Sequence, residues 1–291
     1  MTEKRVPSRR AALEERTLDR VLREYARGVI GGLLFSLPLL YTMEVWWAGF
    51  IARPPRLLIY LLAGFLLLFA YNRYAGLHED AGWAEVAFEA VEELGLGLLV
   101  SAGILWLIGQ IDSGMPWSEV LGKVVVEGMP AAIGVSVGAA QLGGDGKGGQ
   151  GMKGREDKEK TGLPGQIALA LCGAVLFASN VAPTEEIIQI AAESTAWRLL
   201  GLALLSLLLG GIILFYSDFT GSRPFRSGDG IGRVLSLSVI SYAVALCASA
   251  FILWFFGRFD GGSLATGIAQ TVTLGVASSL GASAGRLLLL S

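Results

Sequence analysis

Residues 104–114 read ILWLIGQIDSG, and residues 252–262 read ILWFFGRFDGG. A near-copy of this kind means that one part of the chain was built from another, and an internal repeat decides architecture before any motif does. The match continues in order on both sides. Upstream, Phe35 aligns with Phe177, Thr42 with Thr184, Glu44 with Glu186, and Arg56-Leu57-Leu58 with Arg198-Leu199-Leu200. Downstream, Gly128 to Gly138 (GMPAAIGVSVG) aligns with Gly275 to Gly285 (GVASSLGASAG). The offset grows only from 142 to 148, so short insertions account for it. Two homologous halves are expected, at about 25–142 and 165–290.

Each half has to bury its repeat somewhere, and composition says where. Apolar residues make up 53% of the chain and charged ones 16%, against about a quarter charged in soluble domains. The 40 glycines suit membrane helices, where small residues let backbones approach. Eight segments reach the roughly 20 apolar residues that a spanning helix needs: 28–50, 56–74, 84–109, 118–142, 165–190, 196–216, 231–257 and 264–289. An all-α polytopic protein follows. Its parts are a cytoplasmic amphipathic segment (1–27), a first four-helix repeat (28–142), a flexible cytoplasmic linker (143–164) and a second four-helix repeat (165–291). The linker, rich in Gly and charge, has nothing with which to form a core. Leu13, Leu18, Val21, Leu22 and Tyr25, at helical spacing among charges, suggest a helix on the inner membrane surface.

Basic residues orient the spans. Lys4, Arg5, Arg9, Arg10, Arg16, Arg20, Arg23 and Arg27 precede the first one, and the linker and the loop holding Arg223 and Arg226 add more on that side. The positive-inside rule then puts both termini in the cytoplasm of a bacterial inner membrane. Four spans per half return each half to the side where it began. The repeats should therefore run parallel, about a pseudo-two-fold along the membrane normal.

Among matched polar residues, Glu44 and Glu186 carry the sharpest signal, because a carboxylate in a span is a functional-site hypothesis by default. Each has a threonine two residues earlier, Thr42 and Thr184, and Glu185 adds a second acid to one site. They are expected to face one another near the outer end of a cation path; the plainer alternative is a pair of helix-end glutamates at headgroup level. Asp112 and Asp260 lie in short glycine-containing turns, where aspartate commonly bonds its own backbone. With Glu127 they are expected to form an outer acidic vestibule, partly neutralised by Lys123. Glu85, Glu89, Glu92 and Glu93 line one face of the third span and have no acidic counterparts in the second half.

Other signals reduce to packing. Gly134, Gly138, Gly281 and Gly285 read as G-x-S-x-G, but that nucleophile elbow needs a strand-turn-helix context and a histidine base. His78 is the one histidine in the chain. The same glycines as G-x-x-x-G are helix-packing faces. Cys172 and Cys247 sit in apolar runs as small hydrophobes. Tyr71, Trp106, Tyr216 and Trp254 suit aromatic belts. No metal centre, cofactor, nucleic-acid surface or enzyme activity is expected.

The segments FSLPLLYTMEVWW, Tyr71-Asn72-Arg73-Tyr74 and NVAPTEEI resemble an uncharacterised family of bacterial integral membrane proteins known by a domain of unknown function. The resemblance implies a polytopic inner-membrane protein and brings no site residues with it. The leading expectation is a channel or carrier for a small inorganic cation or proton, alone or as a homo-oligomer in the lipid bilayer. The alternative is a non-transporting scaffold, sensor or assembly factor.

Overall fold

The computed structural model describes residues 9–75, 82–141, 163–219 and 230–288. The expected linker lies almost wholly outside the described residues, as do His78, Arg223 and Arg226. Within them the chain forms ten helices and no strand: α1 (Arg9–Leu40), α2 (Met43–Ile51), α3 (Pro54–Ala75), α4 (Trp83–Leu107), α5 (Trp117–Gln141), α6 (Leu163–Val181), α7 (Glu185–Glu193), α8 (Ala196–Phe219), α9 (Gly230–Phe255) and α10 (Leu264–Leu288). Helices that are apolar on every side belong in a membrane or a large core, since no face is left for water. The backbone donors and acceptors of such helices are satisfied within each segment, as a lipid surround requires.

Six helices are long and apolar enough to cross a membrane: Pro54–Tyr74, Trp83–Leu107, Trp117–Ala139, Leu163–Val181, Ala196–Leu214 and Leu235–Phe255. A seventh span results if Tyr25–Leu40 and Met43–Ile51, which meet at 87°, are taken together. The expected count of eight differs for physical reasons. Segment 28–50 is not one straight helix, because it breaks at Tyr41 and Thr42. Segment 165–190 breaks at Ala182–Thr184, so its span ends at Val181. In α10, Gln270, Thr271, Thr273, Ser278, Ser279 and Ser283 lower the hydropathy of an otherwise full-length helix. At the other end of the chain, α1 runs through residue 27, the expected boundary of the surface segment, without interruption.

In both parts of the chain the helices follow the order long, short, long, long, long. The last helix is the hub each time: α5 packs on α1, α2, α3 and α4, and α10 on α6, α7, α8 and α9. From Val126 to Gly138 every residue of α5 is buried. The two parts meet where α6 lies against α3, α5 and α1.

Close approach of α5 and α10 to their partners depends on glycine. A Cβ built on Gly31 of α1 would sit 2.4 Å from the Gly138 Cα, and one on Gly134 would sit 2.8 Å from the Gly31 carbonyl oxygen. In the other part, a Cβ on Gly173 of α6 would fall 2.0 Å from the Gly281 oxygen, and one on Gly285 would fall 2.7 Å from the Leu169 oxygen. These obstacles are backbone, so a side chain cannot be accommodated by a rotamer change. Gly103 and Gly201, by contrast, have nothing within 4 Å of a built Cβ.

Gly173→Ala and Gly138→Ala should each cost about 1–3 kcal/mol, the range for over-packing. Gly103→Ala and Gly201→Ala should be neutral or slightly stabilising. Thermal melts in detergent separate the two pairs; equal melting temperatures for all four would remove the crossings as a determinant of stability.

Candidate functional site

At both helix breaks the threonine closes the helix behind it instead of opening outward. Thr42 Oγ1 donates to the Pro38 carbonyl at 2.6 Å, and Thr184 Oγ1 to the Val181 carbonyl at 2.9 Å. Neither side chain caps the following helix. Glu44, half-buried, and Glu186, exposed, occupy the first turns of α2 and α7. Carboxylates there gain about 0.3–1 kcal/mol from the helix dipole, which explains a matched glutamate without a ligand. Since α2 packs on α5 and α7 on α10, the two short helices do not pack along one another. The structure therefore does not bring the expected glutamate pair together.

Each break has its own brace. Trp46 Nε1 donates to the Leu40 carbonyl at 3.0 Å in the first part. In the second, Arg258 reaches back from the α9–α10 turn, donating to the carbonyls of Ala182 and Pro183 and pairing with Glu185 at 3.1 Å. Glu185 is thus the partner of an arginine. Arg258 is also the position aligned with Gln110, so the bracing is not duplicated.

The expected vestibule separates into three unrelated settings. Asp112 accepts from its own turn, from the Gly114 amide at 2.7 Å. Asp260 instead bridges the two parts, pairing with Arg56 of α3 at 2.7 Å, while the Arg56 guanidinium lies over the Trp254 ring at 5.5 Å. The hydrogen bond from Arg56, with its charge behind it, holds the Asp260 carboxyl below the usual aspartate range. Glu127 is no vestibule residue at all, being 0% exposed. Lys123, one turn away, binds Glu119 at 2.8 Å and the Gln110 carbonyl at 3.0 Å, leaving Glu127 without it.

Glu127 sits ten residues into α5, about 15 Å along the axis at 1.5 Å per residue. Neither of its carboxylate oxygens has a hydrogen-bond partner. The Tyr60 hydroxyl of α3, and beyond it the Ser179 hydroxyl of α6, are both buried and also without a hydrogen-bond partner. Tyr60 lies within electrostatic range of Glu127 and beside Ser179, its ring stacked on Phe255 at 3.8 Å. Pro130, inside α5, has no N–H to offer the Val126 carbonyl four residues back, which adds another acceptor at this level. Leu274 stands at the aligned position in α10 and is fully buried, so this carboxylate belongs to one half only.

A second polar level lies about 10–16 Å further along the same three helices, from the seven to eleven residues between equivalent points. There Asn72 Nδ2 donates to Glu93 Oε2 at 2.8 Å, and Ser136 Oγ to Asn72 Oδ1 at 3.3 Å. Tyr71, expected in an aromatic belt, is 1% exposed with its hydroxyl unpartnered, and Cys172 of α6 is buried nearby. The neighbouring Glu92 accepts from Tyr25. Gly64 and Leu68, Met129 and Ile133, and Val175 and Leu176 fill the space between levels; all are buried. The crevice between the two parts, lined by Phe35, Val137, Leu169, Cys172, Leu176 and Phe177, is apolar too.

Sequence patterns missed Tyr60, Ser179 and Asn72, which are ordinary in composition and become a set only when α3, α5 and α6 pack. Glu127 could have been found. A span beginning near residue 118 already places it too deep for a loop.

Several long apolar helices around buried polar levels define a multi-pass integral membrane protein. The chain matches, over residues 24–289, the family described as "Putative integral membrane protein (DUF2391)", and it belongs to that family. No curated protein and no solved structure matches it.

Two outcomes follow from this geometry. Replacing Glu127 with leucine, the residue at the aligned position, should raise stability by about 1–3 kcal/mol, because it removes a buried group with no partner; a lower melting temperature would reveal a partner. The Arg56–Asp260 pair contributes stability that is present above the unfolded aspartate pKa and is lost as pH falls through the lowered folded value. Asp260→Asn should therefore flatten the acid limb of a melting series between about pH 5 and pH 2.

Proposed function

We propose that the protein moves a proton or small cation through the membrane interior, with Glu127 as the carboxylate that takes it up and releases it. The observation that carries this reading is the carboxylate's complete burial with both oxygens unpartnered. An ionised carboxylate in such a place costs several kcal/mol unless something positive accompanies it, and ionisable groups kept inside spans mark ion paths. The unpartnered hydroxyls of Tyr60 and Ser179 supply neutral oxygens beside it. The buried layer of Met129, Ile133 and Leu68 supports an occluded carrier over an open pore, since an apolar constriction excludes water. Glu44 and Glu186 become structural residues of the helix breaks in this reading.

We further infer that α10 is an eighth span, carried across the membrane by the helices around it, and that the halves are parallel repeats. Their equal helix order and equivalent hubs support this. The clustering of basic residues supports a bacterial inner-membrane location with both termini in the cytoplasm.

Purified protein in liposomes tests the reading with an interior pH dye and an imposed proton or sodium gradient. Wild type should dissipate one of the gradients, and Glu127→Gln should slow it by about tenfold or more, which corresponds to 1.4 kcal/mol or more. The Glu44→Gln, Glu186→Gln double variant should stay within a factor of about two of wild type. No flux from wild type turns the reading to a non-transporting scaffold or sensor. Flux that survives Glu127→Gln and is lost in the double variant returns it to the helix breaks.

A further inference from the structure

We infer that the second polar level, formed by Glu93, Asn72, Ser136 and Tyr71, is a binding site for a hard monovalent cation of the sodium class. As a loading station for the path through Glu127 it rests on the transport reading; as a binding site it stands by itself.

The argument begins with hydrogen-bond accounting. An asparagine amide offers two N–H donors and a carbonyl with two lone pairs, and a serine hydroxyl offers one donor and two lone pairs. Here Asn72 donates to Glu93 Oε2, and Ser136 spends its proton on Asn72 Oδ1. These bonds orient the set and use up the serine's donor. Ser136 also lies within hydrogen-bonding reach of the Glu93 carboxylate, so what the set leaves over is the second lone pair of Asn72 Oδ1 and the lone pairs of Ser136 Oγ. The Tyr71 hydroxyl, 1% exposed and bonded to nothing, is within electrostatic range of Glu93, Glu89 and Cys172. Oxygen lone pairs collected in a buried place, with one carboxylate among them, have the chemistry of a cation site.

Nearby cations do not fill that role. Among the described residues no arginine or lysine pairs with Glu93. Arg73, on the turn next to Asn72, lies over the Trp83 ring at 5.2 Å.

The donor set also limits the ligand. All its exposed lone pairs belong to oxygen, which suits hard cations and not the soft or borderline metals that want thiolate or imidazole. Calcium sites gather several carboxylates, whereas only Glu93 joins this set. Glu92 is exposed and accepts from Tyr25. Among the described residues no three acidic, histidine or cysteine side chains converge as a metal group. One carboxylate with an amide carbonyl and hydroxyls balances a single positive charge. The site is also private to one half: Ser136 has the counterpart Ser283, buried but without a hydrogen-bond partner, and Ser241 stands where Glu93 would be.

The test is equilibrium binding of radioactive sodium to the purified full chain in detergent, displaced by unlabelled sodium or, as control, choline. Saturable, sodium-displaceable binding is expected in wild type. It should be lost in Glu93→Gln and weakened by about tenfold to a hundredfold in Asn72→Ala, the range for residues that position metal ligands. Ser136→Ala and Tyr71→Phe, which remove one oxygen each with little change in volume, should also weaken it and guard against misfolding in the first two variants. The Glu44→Gln, Glu186→Gln double variant, changed only at the helix starts, should bind as wild type does. The inference is overturned if wild type shows no saturable sodium binding, or if Glu93→Gln and Ser136→Ala both bind normally. Sodium binding without flux in liposomes would leave the site standing and remove the transport reading, so the two failures are distinguishable.

Discussion

Contact between helix backbones at glycine sets the dimensions on which the rest of this structure depends. In lipid there is no hydrophobic drive pushing helices together, and packing has to come from shape. Gly31 against Gly134 and Gly138, and Gly173 against Gly281 and Gly285, let α5 and α10 sink into the centre of each half. Once α5 is central, residues on it are removed from lipid whatever their chemistry. Lys123, Glu127 and Ser136 are all buried along one helix for that reason. The polar interior is a consequence of the backbone approach, and a looser crossing would have left no protected place for a carboxylate.

The two parts share one order of helices and fill it unequally. The second half is neutral where the first has its interior acids, with Ser241 in the place of Glu93, and its inner polar groups are hydroxyls. Ser249 and Ser278 bond each other at 2.7 Å, Ser238 bonds the Leu207 carbonyl at 2.9 Å, and Leu274 replaces Glu127. Charge in the second half has moved to its surface turn, where Arg258 ties together the α6–α7 break and Asp260 ties the turn to α3. One half thus carries the titratable interior and the other carries most of the external bracing. Arg56 and Asp260 join the two at one end of the interface, so the ends of α3 and α9 are held in fixed relation there.

Much of this was legible in the sequence, and the illegible part has identifiable causes. Apolar runs and glycine spacing located nearly every helix, because both depend on local residue chemistry. The breaks after Leu40 and Val181 were announced by Pro38 and Pro183, yet the 87° bend at the first was not, since a proline limits hydrogen bonding without prescribing an angle. Matched residues were a good guide to architecture and a poor one to chemistry. Glu44 and Glu186 are repeated because each half needs the same helix start, whereas Glu127 and Glu93 have no repeat. Tyr60 and Ser179, on α3 and α6, lie far from Glu127 in the chain, and only the packing of the two parts brings these helices together.

The polarity of α10 reaches beyond packing to the way the protein is made. A helix with Gln270, three threonines and three serines in its length partitions poorly into lipid by itself, yet it occupies the centre of its half. On the proposed eight-span reading, its route into the membrane runs through protein: α6, α8 and α9 have to be in place to receive it. They precede it in the chain and leave the ribosome first. Assembly of the second half is on that reading ordered in time, with its most polar long helix inserted last into a slot that its neighbours have already lined with small residues.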